Sequence, residues 1–147
     1  MNRFGHTIFY VRDVKKTVEF YEKAFGIRRA FIDETGSYAQ MDTGDTALGF
    51  ASVELAKQNL KRDFRTISAK EMPVGCEISF LTKNVARSLE CAVKAGAELL
   101  AEPEAKPWGQ TVAYVRDLNG ILIEIGSEMR TGGCGSSEES GASCGCC

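Results

Sequence analysis

The chain carries its own copy, and this repeat limits the folds open to it more than any other feature. His6-Thr-Ile-Phe-Tyr-Val-Arg-Asp13 overlays Glu77-Ile-Ser-Phe-Leu-Thr-Lys-Asn84 at a shift of 71 residues. Each stretch is an extended run ending in a residue suited to capping a helix. Val14, Val18, Tyr21 and Phe25 follow in the first copy, and Val85, Leu89, Ala92 and Gly96 in the second. Their spacing marks one face of an amphipathic helix. Gly26 and Gly96 then stand where a left-handed cap is wanted. Further on, Asp42 to Phe50 overlays Asp117 to Ile125 at a shift of 75, with Gly44-Asp45 and Asn119-Gly120 as turn signals. Each unit therefore reads strand, helix and a three-stranded meander. The chain is α+β, two βαβββ repeats at about 4–52 and 75–126 that together form one domain over 1–128. Between them, Val53 to Val74 holds a short helical piece, Glu54 to Leu60, and a polar loop.

Strand alternation sorts the side chains into two faces. Ile78 and Phe80 oppose Glu77, Ser79 and Leu81; Ile121, Ile123 and Ile125 oppose Leu122 and Glu124. In the first repeat Thr7, Phe9 and Val11 oppose His6, Ile8 and Tyr10, and Leu48 and Phe50 oppose Ala47, Gly49 and Ala51. The apolar faces are expected under the helices. The mixed faces should line a cleft, and they carry the only histidine and two acids. A carboxylate that is both buried and unpaired costs several kcal/mol, so these positions call for water or a cation.

The net charge of −2 comes without a Lys/Arg-rich run, which argues against nucleic acid or an anionic membrane as partner. No apolar stretch nears the roughly 18 residues of a membrane span. The N-terminal residues lack an apolar signal-peptide core, so a cytoplasmic location is expected. Of the six cysteines, Cys76 and Cys91 are read as core thiols on the helix side. Cys134, Cys144, Cys146 and Cys147 crowd a Gly/Ser/Cys-rich tail over 129–147, expected to be disordered. Its thiols suit a thiophilic metal or metalloid, or no function at all.

Gly5-His6-Thr-Ile-Phe-Tyr-Val-Arg-Asp-Val14, Phe20-Tyr-Glu-Lys-Ala-Phe-Gly26, Lys106-Pro-Trp-Gly-Gln110 and Arg116-Asp-Leu-Asn-Gly-Ile-Leu-Ile-Glu124 carry a resemblance. The chain resembles the vicinal oxygen chelate superfamily, home to glyoxalase I, extradiol dioxygenases, fosfomycin-resistance transferases and bleomycin-binding proteins. The resemblance implies a glyoxalase-like fold, with a curved mixed sheet around a central cleft. It also implies four repeat-related ligand positions, here His6, Gly49, Glu77 and Glu124. Glyoxalase I would want a carboxylate where Gly49 stands.

The implied activity is that of a metal-dependent lyase or dioxygenase. His6, Glu77 and Glu124 would hold a divalent metal (Mn, Fe, Mg, Ni or Zn), with Glu124 or Glu77 as catalytic base. The substrate would be a small oxygenated molecule that chelates the metal, contacted by Ile8, Tyr10, Gly49, Ser79, Trp108 and Leu122. The alternative is a non-catalytic groove that sequesters a small molecule or drug, as in bleomycin resistance; Trp108 would then stack on the ligand or only pack at the rim. A homodimer is expected, because a four-stranded open sheet leaves bare edges.

Overall fold

The structure, a computed structural model, describes residues 1–129. The expected Cys-rich tail with Cys134, Cys144, Cys146 and Cys147 lies outside the described residues. The first repeat comprises β1 (His6–Val11), α1 (Val14–Phe25), β2 (Arg29–Ile32), β3 (Tyr38–Met41) and β4 (Ala47–Ser52). Helix α2 (Val53–Leu60) and a linker lead to the second: β5 (Glu77–Thr82), α3 (Val85–Lys94), β6 (Glu98–Ala105), β7 (Thr111–Arg116) and β8 (Leu122–Ser127). The strands form two four-stranded sheets of the same order, β1-β4-β3-β2 (sheet A) and β5-β8-β7-β6 (sheet B). In each, the first and last strands of the repeat pair in parallel, and the meander is antiparallel.

Local sequence explains the helices. The Asp13 side chain accepts from the Lys16 N–H, and Asn84 from the Arg87 N–H. Each satisfies an otherwise orphaned donor of the first turn. Gly26 closes α1 at φ 69°, a left-handed position that glycine takes without cost. The second repeat differs by one residue: Ala95 caps α3 in right-handed geometry and Gly96 turns at φ 109°.

Val14, Val18 and Tyr21 of α1 and Val85, Leu89 and Ala92 of α3 are buried, as their spacing requires. The two helices pack against each other, and one core runs through both repeats, from Phe9, Val11 and Phe50 to Val115, Ile123 and Ile125. Phe25 meets Phe80 across the seam, ring centroids 4.8 Å apart. The helix-bearing sides of the sheets are therefore turned inward, and both helix-free faces look outward.

Cys76 departs from the expectation of a core thiol. It is exposed, because it precedes β5 and escapes that strand's alternation. Cys91, on α3, is half-buried.

A buried carboxylate joins the repeats. Asp117, 2% exposed, opens the β7–β8 turn. It accepts from the Asn119, Gly120 and Ile121 N–H groups and from the Tyr21 hydroxyl of α1. Burial raises its carboxyl, and the donors pull it part of the way back. Arg116 next to it binds the carbonyls of Gly120, Ser68, Ala69 and Glu71, tying the linker to the same turn. Gly120 is obligatory here: φ is 101°, and a Cβ would lie 2.8 Å from the Ser68 carbonyl and the Ala69 nitrogen.

Two outcomes follow for stability. Gly120→Ala should cost about 2 kcal/mol or more in a urea melt, through strain and collision. Tyr21→Phe should cost about 1–2 kcal/mol at neutral pH, from one lost buried hydrogen bond. Burial, then Asp117's charge, lift the Tyr21 phenol well above its usual value. The unfolded chain therefore ionises first, and wild type should lose stability as pH rises past about 10. Melting curves at rising pH should show a shallower loss in Tyr21→Phe; parallel curves would sink the account.

Candidate functional site

The candidate residues lie on the helix-free faces. On sheet B, β5 and β8 align Ser79 with Glu124, and β7 aligns Tyr114 with Glu124. Neighbours directly across a strand share a face within side-chain reach. The Ser79 hydroxyl donates to Glu124 Oε1 at 2.7 Å, and the Tyr114 hydroxyl to Oε2 at 2.8 Å. Both carboxylate oxygens are thus fixed, and each keeps a lone pair for a ligand. The hydrogen bond to Glu124, ahead of burial, pushes the Tyr114 phenol up to about 12. It therefore stays a donor throughout the physiological range.

Trp108 stands at the rim, 59% exposed, in the β6–β7 turn. Its indole N–H donates to Gln110 Oε1, and Gln110 in turn donates to the Ser127 carbonyl at the end of β8. Glu77 opens β5 on the same face, exposed and beside Leu122. Neither Glu77 nor Glu124 forms an ion pair among the described residues.

On sheet A the equivalent row is Ile8, Gly49 and Gln40. Ile8 is 43% exposed. A Cβ at Gly49 would lie 2.8 Å from the Tyr38 hydroxyl and 3.3 Å from Ile8 Cγ1. Tyr38 leans diagonally across β4 and fills the place of a side chain at 49. Tyr10 shares this face, and Phe64 of the linker covers its ring, centroids 4.9 Å apart. His6 opens β1, exposed, at the position that Glu77 holds in sheet B.

The structure thus brings Ser79 and Glu124 together, with Trp108 nearby and Leu122 one row away. His6, Ile8, Tyr10 and Gly49 belong to the other sheet. Among the described residues no group of three His, Cys, Asp or Glu side chains could hold a metal ion. His6, Glu77 and Glu124 therefore form no such group within one chain. The physical reason is the packing of α1 on α3, which turns the two site faces away from each other. The cleft between the repeats, about 520 Å³, is lined by helix-side residues such as Phe9, Leu48, Ile78 and Phe80, and also by Glu77 and Ser79.

Tyr114, Gln110 and Tyr38 escaped sequence reasoning. Alternation along Thr111–Arg116 puts Tyr114 on a definite face, but only the β7–β8 register sets it opposite Glu124.

Comparison with known proteins bears on this architecture. The family model for the Glyoxalase/Bleomycin resistance protein/Dioxygenase superfamily matches residues 3–125. YraH of Bacillus subtilis, an uncharacterized protein, is 27% identical over 116 residues, 78% of this chain and 90% of its own length. Lactoylglutathione lyase GLX1 of Arabidopsis thaliana is 27% identical over 129 residues, 84% of this chain. The chain covers only 43% of that lyase.

Among solved structures, a glyoxalase-related enzyme from Fulvimarina pelagi superposes with a TM-score of 0.74 at 20% identity, covering 87% of this chain and 89% of its own. Hypothetical protein SA1046 from S. aureus superposes with a TM-score of 0.72 at 19% identity, covering 86% and 95%. Two βαβββ repeats, parallel outer pairing in each sheet and a family match over nearly all described residues agree: the chain belongs to the glyoxalase/bleomycin resistance protein/dioxygenase superfamily.

Proposed function

We propose that the chain binds a small molecule with a cationic or hydrogen-bond-donating group at Glu124, in a site completed by a second copy of the chain. One observation carries the reading: the Glu124 carboxylate stands on the helix-free sheet face, held by Ser79 and Tyr114, and forms no ion pair among the described residues. Glu77 adds a second negative charge to that face. Two carboxylates on one face favour a ligand that carries a cation. Trp108 is the aromatic best placed to stack on such a ligand.

The case for a second copy rests on what one chain leaves bare. Ile8 is 43%, Phe31 47%, Leu81 60% and Trp108 59% exposed. Among the described residues the outer strands β1, β2, β5 and β6 have unpaired edges, which natural sheets cover or protect. Sheet A of one copy set against sheet B of another would cover these residues and enclose the site.

The metal-dependent reading is the rival, and the repeat favours it at one point: His6 and Glu77 occupy equivalent positions, and a second copy could bring them together. Lactoylglutathione lyase activity is named in the Arabidopsis relative. Elemental analysis of the purified protein separates the two. About one divalent ion per chain, removed by Glu124→Gln, would replace the binding reading with the metal one.

Light scattering should give twice the chain mass of 16.0 kDa; a monomer at micromolar concentration would defeat the shared site. Glu124→Gln should return the Tyr114 phenol from about 12 toward its ordinary 10, read by ultraviolet titration. The same variant should weaken binding of bleomycin, a cationic probe, by tenfold or more, about the 1.5–3 kcal/mol of a charged hydrogen bond. The chain's single tryptophan, Trp108, serves as the fluorescent reporter. Equal affinity in wild type and variant would refute the role of Glu124.

A further inference from the structure

The repeat that places a carboxylate at 124 places nothing at 49, and sheet A meets this with a phenol from another strand. Tyr38 is on β3, aligned with Ala51, and its ring reaches diagonally over Gly49. The hydroxyl lies 2.8 Å from where a Cβ at 49 would begin. That close approach is possible only because residue 49 is glycine; alanine would force the ring to move.

Asp33 holds the Tyr38 backbone on both sides. The Tyr38 N–H donates to the Asp33 carboxylate at 2.9 Å, and the Asp33 N–H to the Tyr38 carbonyl at 2.9 Å. Phe31 packs against the ring, centroids 5.9 Å apart. The hydroxyl itself has no hydrogen-bond partner among the described residues. Burial raises its ionisation above the ordinary value, so at neutral pH it is a donor in search of an acceptor.

We infer that the Tyr38 hydroxyl is the polar ligand contact of sheet A, standing where Glu124 stands in sheet B, and that it binds a carbonyl or similar oxygen acceptor of the ligand. The inference rests on the proposed binding role of Glu124 and refines it. The ligand is bipolar: a cationic or donor group meets Glu124 of one copy, and an oxygen acceptor meets Tyr38 of the other. Gly49 then sets specificity indirectly, since any side chain there would displace the phenol.

The test uses full-length protein labelled with 3-fluorotyrosine. Its four tyrosines, Tyr10, Tyr21, Tyr38 and Tyr114, give four fluorine resonances assigned by single Phe replacements. Bleomycin, which carries both a cation and amide carbonyls, is the probe. The Tyr114 and Tyr38 signals should shift together during titration, while buried Tyr21 stays fixed. Tyr38→Phe keeps the ring and should weaken binding about threefold to tenfold, the worth of one neutral hydrogen bond. Gly49→Ala, with Tyr38 present, should weaken it comparably. A shift at Tyr114 alone, or unaltered affinity in Tyr38→Phe, overturns the role of Tyr38 and leaves that of Glu124 intact. Shifts at neither position overturn both.

Discussion

The buried Asp117 carboxylate is the interaction on which the two-repeat architecture depends. Its own turn supplies three backbone donors, so the β7–β8 connection is fixed locally. The fourth donor, Tyr21, lies 96 residues away on the helix of the other repeat. Asn119 extends the tie to Thr17 on the same helix. A charge at this depth is tolerated only when its lone pairs are filled. The requirement couples the turn to α1, and with it the relative placement of the two sheets.

That placement has a functional consequence. With α1 and α3 packed together, each sheet gives one face to the common core and leaves the other bare. The bare faces hold the polar residues, because the core face has no room for unpartnered polar groups. One sheet face carries two acids and the Tyr114 phenol, and the other the Tyr38 phenol and a histidine. The carboxylates thus fall to one repeat, although both repeats follow one pattern. A fold of this kind supports many chemistries, and the residues on those two faces decide among them.

The linker contributes more than connection. Arg116 grips three of its carbonyls from sheet B, while Phe64 covers Tyr10 on sheet A. A segment tied at one sheet and packed on the other narrows the open area of sheet A at one end. Ile8, one row away, remains 43% exposed.

Sequence alone determined the repeats, the helix faces, the caps at Asp13 and Asn84, and the faces on which His6, Glu77, Ser79 and Glu124 sit. These depend on periodicities of 2 and 3.6 and on local hydrogen bonds, which a linear chain displays directly. The relations between strands were beyond its reach. Tyr114 beside Glu124 depends on register, and Tyr38 over Gly49 on a diagonal contact between strands. The failure of His6, Glu77 and Glu124 to meet within one chain depends on which side of each sheet the helices bring together. Those are choices among long-range packings, decided by how Tyr21, Phe25 and Phe80 fill one shared core, and no local pattern encodes them.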